Sequence, residues 1–321
     1  MSDGDHRKRY RAEPPDAEFA LQKAREIWNR DTRRPRAVAI EDEDFRGFFG
    51  CSVLVFLSLW TLLERFDQIP PGGEACHLMW TLMFLKIYAR NTVLSSLAGG
   101  VDPDTYMKWV WLFLDGIVYL ECHVIIWENR LKLDRGNDCL TSVDCTDCRI
   151  PNHGPDFASH KFNKKSGLRY EIALCILTGD VVWMNGPFEC GKWPDISIFQ
   201  SALLGMLADN ERVEADDGYV GDHPMYIKCP AGFANPEETL FMQQRVRNRQ
   251  ETINERVKNW KALDGMWRHE ITRHGDAFRA IIIVSQLAIN SGERLFPCGY
   301  RDPPYHGPGG EMDLGSDDDG L

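Results

Sequence analysis

The chain has 321 residues, 43% of them hydrophobic, and a formal net charge of −11. That length and apolar content can fill a sizeable core, as one large domain with a smaller one or as two medium domains. The overall acidity excludes a polycation that coats nucleic acid indiscriminately, but it leaves room for a local basic segment.

The ten cysteines are scattered and the first residues are polar, with no apolar signal-like run, so reduced thiols in a cytosolic or nuclear protein are expected. Residues 1–40 mix charges and prolines and are expected to be disordered or loosely docked. Within them HRKRYR, residues 6–11, reads as a solvated charge run or as a nuclear-import patch. Residues 41–130 are helical in pattern and predict an all-α accessory module. Residues 53–63 are strongly apolar, but Glu64 and Arg65 end the run well short of the ~20 residues of a membrane span, so a buried helix and no membrane association are expected. Residues 77–88 predict a second apolar helix and residues 92–98 a short third. Gly99-Gly100 breaks the chain, and Asp102-Pro103 supplies an N-cap and a first-turn proline for a long helix reaching about Leu120. Short helix, glycine turn and longer helix make a helix-turn-helix-like pattern. DNA binding is one reading of it. The second helix, TYMKWVWLFLDGIVYL, is apolar almost all round, however, and reading a major groove takes exposed polar and basic side chains. A plain helical packing module is the other reading.

From Asn137 the period changes. Residues 141–150, TSVDCTDCRI, are strand-like, and residues 151–168 form a polar loop with His160, Lys161, Lys164 and Lys165. Residues 168–177 predict a strand, Thr178-Gly179-Asp180 a tight turn, and residues 181–185 its hairpin partner. Trp193-Pro194-Asp195 opens a helix for which Asp195 reads as the N-cap. Residues 212–215 give a short strand ending at Asp216-Asp217-Gly218-Tyr219, and residues 224–229 another. A long polar helix over 236–263 and an apolar one over 278–290 follow, and the acidic tail, residues 301–321, is expected to be disordered. The order over residues 137–300 predicts an α/β (α+β) architecture, a mixed sheet flanked by helices, compatible with a ribonuclease H-like core.

Several side chains in this region carry chemistry. Cys145 and Cys148 are spaced as a CxxC pair, but on a strand they point to opposite faces and no second pair completes a zinc site. The same alternation separates Asp144 from Asp147. An acid inside an apolar strand is costly unless it is paired or binds a cation, so either is a metal-ligand candidate. Asp216 and Asp217 lie past a strand end, where sheet proteins commonly place sites, although an Asp-Gly turn explains them equally. On the polar helix Glu251 and Glu255 share a face with Arg247 and Lys258, as a ladder of ion pairs would, unless one glutamate leans over the sheet. His269 and His274, five apart, do not share a helical face. Residues 245–273 hold eight Lys or Arg against four acids, a basic segment in an acidic chain.

The combination is more specific than its parts. Glu251 follows Asp216 with 34 residues between them. An acid on a first strand, an acid after a later one and a helical glutamate resemble the DDE transposase/integrase superfamily. SVDCTDCRIP, GPFECGKWPDISIF, VEADDGY and RQETINERVKNW resemble the four blocks of Harbinger-type transposases, and FRGFFGCSVLVFLSLW and GGVDPDTYMKWVW resemble their accessory module. The resemblance runs from about Phe45 to Tyr300. It implies a ribonuclease H-like nuclease fold and a nuclear, metal-dependent DNA endonuclease/transposase acting on terminal inverted repeats. Two Mg²⁺ or Mn²⁺ ions would be held by Asp144, Asp216 and a glutamate. Aligning the family's R-x-x-x-E-R-x-F-G with its Phe on Val257 puts Asn254 at the glutamate position. Glu251, three residues earlier, then takes the role, with Glu255 the alternative. Asp195 matches a recurrent family Asp in a supporting role, and Asp147 and Asp217 stay alternatives. Lys161, Lys164, Lys165, Arg247, Arg249 and Arg256 are expected to contact phosphates, positioning DNA rather than reading it. The resemblance also implies a separate Myb-like DNA-binding partner and allows a homodimer. The contrasting expectation is a non-catalytic, host-adopted relative that binds DNA or protein.

Overall fold

A computed structural model describes residues 14–31, 41–131, 139–221, 225–229 and 237–300. The HRKRYR patch and the acidic tail lie outside the described residues. Part of residues 1–40 departs from the expected disorder or loose docking. Ala17–Asp31 is a helix (α1), and Ala20, Ala24 and Ile27 bury the face it turns toward the next helices. Those three are spaced by four and three residues, a narrow apolar stripe that charged neighbours hide in the composition.

Six helices follow: α2 (Asp42–Phe49), α3 (Val53–Arg65), α4 (Ala75–Ile87), α5 (Asn91–Leu97), α6 (Pro103–Tyr119) and the short α7 (Glu121–Val124). The Asp102 side chain caps α6, accepting from the Asp104 and Thr105 N–H groups at 3.0 and 3.2 Å. α6 buries Tyr106, Val110, Phe113, Leu114 and Ile117 against α4 and the C-terminal helix. Its exposed positions include a single base, Lys108. The longer helix of the helix-turn-helix pattern thus packs one face into the core and leaves the other exposed. Among the described residues no single helix is long and apolar enough to cross a membrane.

The second half is built on a five-stranded sheet of order β3-β2-β1-β4-β5. Its strands are β1 (Cys139–Arg149), β2 (Gly167–Cys175), β3 (Val181–Glu189), β4 (Arg212–Glu214) and β5 (Ile227–Lys228). β1, β2 and β3 form an antiparallel meander, whereas β4 joins β1 in parallel and β5 joins β4 in parallel. The chain is thus mixed α/β, as its element order predicts. β1 lies in the middle of the sheet, and all of it except Arg149 is buried.

Helices cover both sides. α8 (Asp195–Ser201) packs Ile198 and Phe199 against Val143, Cys145, Ala173 and Cys175. The opposite face carries Cys148, Tyr170, Ile172 and Leu174, and it receives α9 (Glu237–Lys258) and α11 (His274–Asn290). The four-residue α10 (Lys261–Asp264) links those two helices. α11 is buried nearly all round because it touches α3, α6 and α7 as well as β3. One hydrophobic core therefore runs from α1–α6 through the sheet to α11. Cys145 and Cys148 fall in two different cores on opposite faces of β1, as strand alternation requires, and all ten cysteines are free thiols.

Candidate functional site

The site lies on the α9 face of the sheet. α9 turns a partly polar stripe inward, with Gln250 and Asn254 buried one turn apart. Ser142 Oγ donates to Gln250 Oε1 at 2.9 Å, and Gln250 Nε2 donates to the Ile172 carbonyl at 3.0 Å. Asn254 Nδ2 donates to Asp144 Oδ2 at 2.7 Å. These bonds fix the register of the helix on the strands, because a shift along the axis would strand several buried polar groups together.

Asp144 is 9% exposed, and its other oxygen accepts the Cys145 N–H at 2.7 Å. Burial pushes its carboxyl up to about 7, and Asp216 and Glu251 push the same way, against Lys161 and the Cys145 N–H. Asp216 is exposed at the end of β4, where it caps the Asp217–Tyr219 turn by accepting the Gly218 N–H at 2.9 Å. A side chain at Gly218 would meet carboxylate oxygens of both Asp216 and Asp195, so glycine is what lets these two acids approach the same turn. Asp144, Asp216 and Glu251 line one recess of about 60 Å³, with Arg247 and Gln250 on its wall. An open groove of about 620 Å³ adjoins it, lined by Lys161, Asn254, Glu255, Lys258 and Lys261 among others. Glu251 lines both. Glu255 lines only the groove, so of the two glutamates Glu251 shares walls with the aspartates.

The remaining predicted residues separate into two groups. Asp147, fully buried, lies on the other face of β1 and faces Arg169 across the β1–β2 ladder. Arg169 holds both its oxygens, at 2.8 and 3.1 Å, and donates to Asp195 Oδ1 at 2.6 Å. Burial opposes ionisation of Asp147, yet Arg169 and Ser159 outweigh it and keep its carboxyl below the usual range. Asp147 is therefore a structural anion rather than an alternative ligand on the Asp144 face. Asp195 is not the cap of its helix: that position is Pro194, and Asp195 is held by Arg169 in the first turn. Asp217 is exposed on the turn beyond Asp216.

Lys161 donates from Nζ to the Cys145 carbonyl at 3.0 Å. Burial lowers its ammonium, but Asp144, Asp147 and Asp195 together hold it above its ordinary value. Lys164 and Lys165 are exposed on the same turn. Arg247 is half-buried beside the recess. Two of the expected phosphate contacts need correcting. Arg249 is 1% exposed, and its guanidinium donates to the Cys175 and Ile176 carbonyls, tying α9 to the end of β2. Arg256 donates to the Glu293 carbonyl at 2.9 Å. The neighbouring bases are used similarly: Arg245 reaches the Pro297 carbonyl, Arg268 the Tyr88 carbonyl, and Arg273 the carboxylates of Asp115 and Asp276. Most of these arginines are thus tied to the protein's own carbonyls and carboxylates, although only Arg249 is buried. Lys258 and Lys261 on the groove and Arg169 on β2 are site or support residues outside the expected set of phosphate contacts, and Asn254 sits on Asp144. Arg169 was discoverable from strand register, since it is the residue opposite Asp147.

Among the described residues, no three His, Cys, Asp or Glu side chains are gathered closely enough to hold one ion as they stand. The donors still suit a hard divalent cation in kind. Three carboxylates line one recess, and the buried Oδ1 of Asn254 has no hydrogen-bond partner. No protein-family model matches the chain, and neither does any curated protein or solved structure.

Proposed function

We propose that the chain is a metal-dependent DNA endonuclease or transposase of the Harbinger-type DDE group, built on a ribonuclease H-like fold. One observation carries the reading: Asp144 of the central strand, Asp216 beyond the adjacent parallel strand and Glu251 of the covering helix line the same recess. The strand order, a meander followed by two parallel strands on the other side of β1, supports the fold assignment. Bound Mg²⁺ or Mn²⁺, held by Asp144, Asp216 and Glu251, would supply the charge that activates an attacking oxygen and offsets the leaving one in an in-line displacement.

The protein's own groups do the rest. The Cys145 N–H and the Asn254 amide orient Asp144, and burial of Asp144 keeps its ionised form costly until a cation arrives. Lys161 and Lys258, facing the groove beside Glu251, would hold a DNA backbone along it. Nuclear location and a separate Myb-like DNA-binding partner belong to the same proposal. A non-catalytic, DNA- or protein-binding role is the second reading, and the amide nitrogen seated on Asp144 favours it.

Cleavage of DNA bearing terminal inverted repeats, with Mg²⁺ or Mn²⁺ and with a Myb-like partner supplied, tests the choice. Wild type should cut, and Asp144→Ala and Asp216→Ala should not. Equal products from wild type and both variants, or no cleavage by any of them, contradicts the nuclease reading.

A further inference from the structure

Asn254 is 6% exposed and stands where α9 crosses β1. Its Nδ2 is used, at 2.7 Å from Asp144 Oδ2, but its Oδ1 is buried and has no partner. A buried amide oxygen left unpaired is unfavourable. The unpaired oxygen belongs to a residue that also lines the open groove beside Glu251. Gln250 and Ser142 also bind helix to strand, and the bond to Asp144 uses only the nitrogen end of the Asn254 amide.

A half-turn about the last side-chain torsion exchanges the two ends of the amide. The oxygen would then sit where the nitrogen now is, 2.7 Å from the carboxylate oxygen. Neighbouring oxygens in an octahedral Mg²⁺ or Mn²⁺ shell are about 3 Å apart, from metal–oxygen bonds of about 2.1 Å. Two oxygens at that spacing make an edge for such an ion. In the metal-free protein the nitrogen end faces the carboxylate because two oxygens would repel. With a cation between them the oxygen end is preferred.

Resting on the nuclease reading of this site, we propose that Asn254 is itself a metal ligand, giving its amide oxygen alongside the Asp144 carboxylate. The site is then an Asp–Asp–Asn set with Glu251 at its edge, and the amide swings from hydrogen-bond donor to metal ligand as the ion enters. Such a set contains only two charged ligands of the usual acidic kind at its centre. It therefore holds the ion less tightly than three carboxylates would and releases it more readily.

Mn²⁺ alone is the probe, titrated into the full chain while free Mn²⁺ is followed by electron paramagnetic resonance and the Tm is recorded in parallel. Asn254→Leu should weaken Mn²⁺ binding about tenfold or more, as loss of groups that hold a bound metal does. Asn254→Asp should lower the Tm of the metal-free protein, since two carboxylates then face each other, and should raise both the Mn²⁺ affinity and the Mn²⁺-induced Tm shift above wild type. If Asn254→Leu fails to fold, the Asp variant still decides: a Tm shift equal to or smaller than that of wild type overturns the assignment. Mn²⁺ binding that is lost in Asp144→Ala but unchanged in both Asn254 variants overturns the role of Asn254 and leaves the metal site standing. Wild type that binds no Mn²⁺ overturns both.

Discussion

Glu171 gives the sharpest stability prediction. It lies on β2 opposite Cys145 with no exposed surface, on the face of the sheet away from the candidate site. Its Oε2 accepts the Trp183 indole N–H at 3.1 Å, and its Oε1 has no partner. Burial raises the carboxyl from 4.5 to about 8; Asp195 adds to this and the Trp183 bond opposes it. The folded protein therefore keeps a proton that the unfolded chain releases. Stability from this group is fully present below about pH 4.5 and is lost as pH climbs toward about 8. Between pH 5 and pH 8 the loss is on the order of 3 kcal/mol, each pH unit of displaced titration counting for somewhat more than 1 kcal/mol. Glu171→Gln keeps the shape and the bond to Trp183 but cannot ionise. Urea unfolding of both proteins in chelator should show a small difference at pH 5. The variant should then gain on wild type by about 3 kcal/mol by pH 8. A difference that stays constant with pH, or a variant that loses ground at pH 8, would show that Glu171 is not held protonated in the folded protein.

Arg169→Met should destabilise the protein by about 3–5 kcal/mol in urea, because it leaves Asp147 charged, fully buried and without its guanidinium. Asp147→Asn made in the same background should recover part of that loss, since the stranded charge is removed. Lys258→Ala should weaken binding to duplex DNA and lower the slope of log affinity against log salt by about 0.9, the signature of one lost phosphate contact, while leaving the urea midpoint unchanged. Arg249→Met should do the reverse, lowering the urea midpoint through the lost bonds to Cys175 and Ile176 without altering the salt slope.

The fold was readable in outline because its signals are local. Strand-like stretches mark β1 and β2, the Thr178-Gly179-Asp180 turn joins β2 to its hairpin partner β3, and Asp102-Pro103 marks the start of α6. α1 was missed because three small or branched apolar residues carry its buried face in a strongly charged stretch. The site was half legible. Alternation separated Asp144 from Asp147, but which of them faces α9 depends on packing that strand period alone does not contain. The fate of the arginines was not legible at all. Arg249 and Arg256 have the same sequence character as Lys258, and only the path of β2 and of the chain after α11 turns the first two inward to backbone carbonyls. Asp195 illustrates the same limit, because a Pro-Asp helix start looks like a cap, while the guanidinium that claims it comes from a strand 26 residues away.

Anomalous diffraction from crystals of the full chain grown with Mn²⁺ tests the proposed metal site most directly. Anomalous density should appear in the recess between Asp144 and Asp216, bounded by α9, and disappear in Asp144→Ala crystals. Mn²⁺ density elsewhere on the molecule with none in that recess, at concentrations that shift the Tm, would contradict the proposed site.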